Sequence, residues 1–486
     1  MILYPKIYLF IGLEYLYIIF TFTIMVNYSI HDNILTIKSD FEENLDNELK
    51  NVIITNEVEN IIFYSRKYEL LNELNFSGSN IKSLVISSLG HEIFIINNNN
   101  QNNKIIKLDN LPKTLESLEI ANNCVELGLD QKIFQNLPPR LKKLKLYSCD
   151  DISFENLPNT LEVLDISCLS NHENLLDYLP ASLKSLNIRI TQVFKSAMNQ
   201  NPNINNLSNY IEIGFDSLPS GLESLKIIGQ YYGELNCLPV DLKVLHLPSV
   251  YVNEIKNIPK NLEELKIPIK YEHLDNFKDC ACLKKIIIGF TNKSHSHNIS
   301  NFDLKKIPKS IEEIEFGDDF NQVLENIPMG LRKITFGFNF KSYSIDLVDS
   351  IEYLEFGYNF NGTIKKYPSN LKFLKFGRNF NQEINNLPKG LINLSINERF
   401  HSNICNLPST LSILEFNSLA EFNKDILCIP DSTHTIILGK YMRKNKINIP
   451  KNLKNITYPE TNTWITQELE NIRFEGTIIT IKNETY

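Results

Sequence analysis

The sequence predicts a solenoid of about 16 coils, each of roughly 20 residues, with a parallel β-sheet on its concave face and few helices. Three observations point there. Pro308, Pro328, Pro368, Pro388 and Pro408 lie on a 20-residue grid, with Val348 in the missing slot. The register recurs at Pro112, Pro138, Pro158, Pro180, Pro219, Pro239 and Pro259, and again at Pro430 and Pro450, so fourteen of the 20 prolines sit on it. Counted from each proline, the third, sixth and eighth residues are apolar, as in Leu115, Leu118 and Ile120 or Leu371, Leu374 and Phe376. A unit this short cannot bury its apolar side alone, and stacking on its neighbours completes the core.

Each part of the unit has a physical reason. The sixth and eighth residues are two apart, the spacing of side chains on one face of a strand, so each unit holds one short strand with those two side chains inward. Proline fixes φ and has no N–H to give a sheet, so it belongs in the connector before the strand. Twenty residues per coil leave no room for a long helix, and the return path is expected to be extended or 3₁₀. The ninth residue is often glycine (Gly289, Gly317, Gly337, Gly357, Gly377 and Gly439), which would permit a sharp turn off the strand end. The eleventh is Asp319, Asn339, Asn359 or Asn379 in the most regular stretch, and Asn123 and Cys149 in two early units. Asparagine repeated at a corner would form a hydrogen-bonded ladder from coil to coil. The twelfth is Phe320, Phe340, Phe360, Phe380 and Phe400 in five successive units, rings expected to stack as an internal spine.

These residues carry a resemblance. The pattern L-x-x-L-x-(L/I/F)-x-x-(N/C) is similar to a leucine-rich repeat. More narrowly, Ile314-x-Phe316-Gly317-x-x-Phe320-Asn321-Gln322 and Leu374-x-Phe376-Gly377-x-x-Phe380-Asn381-Gln382-x-Ile384 resemble the FNIP repeat, a type met chiefly in slime moulds and giant viruses. The likeness is close over 308–408 and looser over 104–300 and 409–460. The proline that usually follows Phe-Asn-Gln is replaced by Val323 and Glu383. The resemblance implies a horseshoe-like solenoid with an interaction role. Family members with an F-box would further imply an adaptor for a ubiquitin ligase; residues 28–103 carry no F-box pattern.

Composition narrows the function classes. The net charge of −8 is spread over 49 basic and 57 acidic residues without a block of one sign, which argues against a nucleic-acid surface. The eight cysteines form no C-x-x-C pair and suit a reducing compartment. Asparagine and isoleucine are abundant, an excess that AT-biased codon usage would produce by itself.

Four segments follow from this reading. Residues 1–27 are apolar, and Ile7 to Val26 is a 20-residue stretch whose single charge is Glu14, long enough to span a bilayer. Lys6 before it and Asp32, Asp40, Glu42 and Glu43 after it would leave the solenoid outside the cytosol. Translation from Met25 would remove the segment. The chain is thus expected either in the cytoplasm (of the host, for a viral protein) or anchored to a membrane through residues 7–26. Residues 28–103 are read as a cap with degenerate first coils, in which the apolar clusters Val52–Ile54, Ile61–Phe63, Leu74–Phe76 and Leu84–Ile86 mark strands. Residues 104–460 are the solenoid, with polar bulges at 189–208 and 291–300. Residues 461–486, from near Trp464, are read as the cap of the last coil.

The candidate functional surface follows from strand geometry. If the sixth and eighth side chains face in, the fifth and seventh face out, and stacking lines them up in columns. The fifth-position column runs through Lys333, Tyr353, Phe373 and Asn393, and the seventh through Glu315, Thr335, Glu355, Lys375, Ser395 and Glu415. Just past the glycines stand Phe338, Tyr358 and Arg378, and an earlier patch combines Lys143, Lys145 and Tyr147. Exposed aromatics with arginine and mixed charge suit a protein contact. The competing reading is that they are solvated strand positions whose cross-strand pairs stabilise the sheet.

Other chemistry is weakly signalled. His295 and His297 offer two ligands where a structural metal site takes four. Cys280-Ala281-Cys282 falls on a proline slot and reads as core. No nucleophile elbow, phosphate loop or His-Glu zinc motif occurs. The expectation is a non-enzymatic scaffold without cofactor that binds a protein through its sheet. The alternatives are a membrane-anchored repeat receptor and a ubiquitin-ligase adaptor.

Overall fold

The proline grid is a grid of turns. The carbonyl of every register proline except Pro259 accepts the N–H three residues on, as from Leu115 to Pro112 at 3.0 Å and from Leu371 to Pro368 at 3.2 Å. The two substitutes keep the turn: Ile351 donates to Val348 at 3.3 Å and Leu283 to Cys280 at 3.2 Å. A computed structural model describes residues 10–12, 15–17, 26–31, 34–39, 58–65, 79–87, 111–120, 136–149, 154–169, 175–191, 213–290, 302–341, 344–404, 406–416, 426–439, 447–460 and 462–481. Two compact units divide the chain, Met1–Pro259 and Lys260–Tyr486.

In the first unit the described amino-terminal segments form an antiparallel meander. Phe10–Gly12 pairs with Tyr15–Tyr17, which pairs with Val26–His31, and that strand pairs with Ile34–Ser39. From Ile34–Ser39 onward the pairing becomes parallel, through Asn60–Ser65, Ser83–Ser87, Ser117–Ile120, Lys143–Cys149, Val163–Leu169, Ser185–Thr191, Ser224–Gly229 and Val244–His246. Of the stretch 7–26, then, the described residues are strands where a spanning helix was an expectation. Among the described residues no helix is long and apolar enough to cross a membrane.

The second unit repeats the same arrangement. Its strands Glu264–Ile267, Lys285–Ile288, Glu313–Phe316, Lys333–Thr335, Tyr353–Glu355, Phe373–Lys375, Asn393–Ile396, Ile413–Phe416, Thr435–Ile437 and Asn455–Pro459 pair in parallel and in sequence order. Each pairing sets a residue against its counterpart in the register, as in Leu354↔Leu374. Helix Thr463–Asn471 then turns Ile465 and Leu469 into the core, and Thr477–Ile481 adds a last parallel strand on which Ile478 and Ile479 are exposed. The return paths carry short 3₁₀ segments at Leu175–Tyr178, Leu274–Phe277 and Leu304–Lys306.

The core sits where the apolar triad requires it. The third, sixth and eighth residues of each coil are buried, from Leu115, Leu118 and Ile120 to Leu453, Ile456 and Tyr458. One slot holds a polar residue: Thr433 is fully buried and donates its hydroxyl to the Leu411 carbonyl at 3.0 Å, which satisfies it. Between Pro308 and Phe400 the predicted spine forms. Phe320, Phe340, Phe360, Phe380 and Phe400 stack with centroids 5.9–6.1 Å apart. A second column beside it, Phe316, Phe336, Phe356 and Phe376, has spacings of 5.3–5.8 Å, and partners within a coil lie 3.7–4.0 Å apart. Tyr231 and Tyr251 hold the twelfth slot in the first unit and stack at 6.5 Å.

The glycines serve a different purpose from the expected turn. Gly289 does have φ of +88°, but Gly317, Gly337, Gly357 and Gly377 are not in the left-handed region. A Cβ on any of these four would strike the backbone of the preceding coil, so glycine here lets two coils approach. The left-handed positions belong instead to asparagine. Asn326, Asn386 and Asn406, each two residues before a register proline, have φ of 59–60°. Asparagine tolerates that conformation better than most residues, so part of its abundance has a structural cause beyond codon usage. The expected asparagine ladder forms at Asn339, Asn359 and Asn379, whose amides bond in sequence at 3.4 and 3.0 Å. Asn123, most of 189–208 and all of 291–300, with His295 and His297, lie outside the described residues, as do the clusters at 52–54 and 74–76.

Candidate functional site

The outward face of the second unit's sheet gathers the predicted aromatics into two columns. In the first, Tyr353 and Phe373 are directly paired across neighbouring strands, and their rings lie 4.1 Å apart and 2° from parallel. Lys333 sits over the other face of Tyr353, with Nζ 5.1 Å from the centroid, and also pairs with Glu313 at 3.3 Å. The Tyr353 hydroxyl donates to Glu355 at 2.8 Å, and Glu355 binds Lys375 at 2.7 Å. Partial burial, reinforced by that carboxylate, pushes the Tyr353 hydroxyl pKa well above its ordinary value, so it remains a donor.

In the second column Phe338 and Tyr358 stack at 4.4 Å, and the Arg378 guanidinium lies 5.1 Å from the Tyr358 centroid. Arg378 also donates to the Tyr358 hydroxyl and forms an ion pair with Glu398. Both tyrosines thus have two faces occupied, one by a phenylalanine and one by a cation. They offer solvent their edges and hydroxyls rather than a stacking platform. All of these side chains are half-buried and held by neighbours one coil away.

The earlier patch lies on a strand of the first unit. Lys143 and Lys145 both face outward, and Lys145 pairs with Glu119 at 3.3 Å. Tyr147 continues that strand, with its side chain outside the described residues. The counter-ions Glu119, Glu313 and Glu398 were not singled out from sequence. Each stands in the same slot as its partner one coil away, which is the signal that finds them.

A larger feature also escaped the sequence reading. The fourth residue after each register proline alternates in sign: Glu116, Lys142, Glu162, Lys184, Glu223, Lys243, Glu263, Lys284, Glu312, Arg332, Glu352 and Lys372, then Ile392 ends the row. Ion pairs form along it in the first unit, Lys142–Glu116 at 2.9 Å and Lys243–Glu223 at 2.8 Å. In the second they run Lys284–Glu312 at 2.8 Å, Arg332–Glu352 at 3.9 Å and Lys372–Glu352 at 2.6 Å. Hydrogen bonding from the facing lysine lowers the carboxyl pKa of Glu116, Glu223, Glu312 and Glu352. Beside this row a groove of about 420 Å³ is lined by Lys284, Ser310, Glu312, Arg332 and Glu352.

A second device lies beside the row. The hydroxyl of the residue two after the proline donates to the preceding coil, from Thr160 to Leu141 at 2.8 Å and from Ser350 to Leu331 at 2.7 Å. Among the described residues no cluster of three or more His, Cys, Asp or Glu could hold a metal ion.

Comparison with known proteins adds the following. The sequence model of the FNIP repeat matches residues 298–339 and 363–399. Among solved structures, the chain is similar to CroV588, a circular leucine-rich-repeat protein, with 18% identity and a TM-score of 0.43, covering 92% of this chain and 71% of that one. It is also similar to YopM from Yersinia enterocolitica, with 17% identity and a TM-score of 0.29, covering 82% of this chain and 87% of that one. A leucine-rich-repeat protein of Leptospira interrogans shares 14% identity with a TM-score of 0.35, covering 76% of this chain and 93% of that one. No curated protein matches.

Proposed function

We propose that this chain, which carries FNIP repeats over residues 298–339 and 363–399, binds a protein partner through the outward face of the sheet around Tyr353 and Phe373. It is a repeat scaffold of leucine-rich type, an architecture commonly used for protein–protein interaction. The observation that supports the chosen face is the fixed geometry of Tyr353, with a cation on one side, a parallel ring on the other and its hydroxyl held by Glu355. Aromatics already ordered before contact lose little conformational freedom on binding, which favours affinity, and Tyr with Arg is the composition of contact hot spots. Phe338, Tyr358 and Arg378 extend the same surface along the next column. Lys143, Lys145 and Tyr147 would be a separate contact of the first unit.

The test is proximity labelling in cells that express the full chain, run beside a variant carrying Tyr353→Ala, Glu355→Lys and Lys375→Glu. The labelled partners should be lost from the variant while its circular dichroism stays unchanged. Retention of the same partners would assign these residues to sheet stabilisation alone.

A further inference from the structure

Asn361 and Gly362 form the only Asn–Gly pair among the chain's 18 glycines. Asn361 is exposed at a coil corner, one residue past the buried Phe360. Its side-chain Oδ1 accepts two hydrogen bonds from the next coil, from the Asn381 N–H at 2.8 Å and from Gln382 Nε2 at 3.1 Å. Asn321 and Asn381 hold the same slot and accept the N–H of Lys341 and of His401, each at 2.8 Å. Both of those are followed by glutamine, not glycine.

We propose that Asn361 is a site of spontaneous deamidation, prepared by the coil stacked on it. The Gly362 backbone nitrogen, after losing its proton to water or hydroxide, attacks Cγ of Asn361. A C–N bond forms, and the developing negative charge falls on Oδ1. The two donors from the next coil already point at that atom, the arrangement that stabilises an oxyanion. The Cγ–Nδ2 bond then breaks and the nitrogen leaves as ammonia, taking a proton from water. Water opens the resulting cyclic imide at either carbonyl, giving aspartate or isoaspartate. Overall one water is consumed and one ammonia released, with no oxidant or cofactor. Gly362 permits the closure because no Cβ crowds the attacking nitrogen.

The two products differ in consequence. Aspartate keeps an acceptor for Asn381 and Gln382 and adds a negative charge to the corner. Isoaspartate carries the main chain through the former side chain, so the rung to the next coil is lost.

Holding the native full chain at neutral and at mildly alkaline pH, then mapping peptides by mass spectrometry, tests this. Conversion at Asn361 should exceed that at Asn321 and Asn381 by about tenfold or more and should quicken with pH. Gln382→Ala, on a half-buried side chain, removes one donor and should slow conversion by about tenfold. Equal rates at the three asparagines, or none at Asn361, would overturn the proposal. An unchanged rate in Gln382→Ala would overturn the part assigned to the facing coil.

Discussion

The two units use the same strand pattern and differ in how the chain returns to each strand. In both, the apolar triad is buried, a hydroxyl reaches the preceding coil, and the fourth-position charges pair. In the first unit the distance between successive register prolines varies, reaching 39 residues between Pro180 and Pro219. From Pro308 to Pro408 in the second, counting the slot held by Val348, it stays at 20. Only there do rings, asparagines and glycines all meet their own kind in the next coil. The exception within the first unit makes the cause plain. Pro219 and Pro239 are 20 residues apart, and there Tyr231 stacks on Tyr251 at 7° from parallel. Constant coil length, rather than membership of one unit, lets the corner residues stack.

The largest way to break this comparison is to empty the spine. Phe360→Ala should cost about 3–5 kcal/mol, since a fully buried ring is removed from between two others. Hydrogen exchange should show the loss in coils of the second unit while the strands of the first stay protected. A cost well under 1 kcal/mol would mean that stacking adds nothing to the strand core. Next comes the glycine column. Gly377→Ala places a Cβ against the Gly357 carbonyl and should cost about 1–3 kcal/mol or more as overpacking, whereas Gly390→Ala meets no atom and should be neutral in chemical denaturation.

The smallest effect belongs to the charge row, and it sharpens what the units share. Glu352→Lys sets like charges beside Arg332 and Lys372, and the fall in melting temperature should shrink as salt rises. Acid should act in the same direction. The folded Glu352 carboxyl is held below its usual range, so its contribution is present above the unfolded carboxyl's pKa and is lost as pH falls through the folded one. Glu116 in the first unit is lowered for the same reason and should behave alike.

What was legible in the sequence was whatever recurs once per coil. The prolines, the triad and the Phe-Gly-Asn corner each repeat at that period, so aligning coils exposes them. The pairing of Tyr353 with Phe373 followed from the same columns, since strand alternation puts both outward. The charge row was not legible because it repeats every second coil: laid over one another, its glutamates and lysines read as ordinary mixed charge. The purpose of the glycines was hidden for another reason. Sequence shows where a Cβ is missing, but only coordinates show what it would strike, and here that is the backbone of the preceding coil. The left-handed Asn326, Asn386 and Asn406 went unnoticed in a chain so rich in asparagine.

The alternation of sign gives the solenoid a parity. Duplicating or deleting a single unit between Glu116 and Lys372 would bring acid against acid or base against base at the junction, while adding or removing two would leave every neighbour opposite. Beyond Ile392, where the row ends, odd and even insertions should be equivalent for these charges.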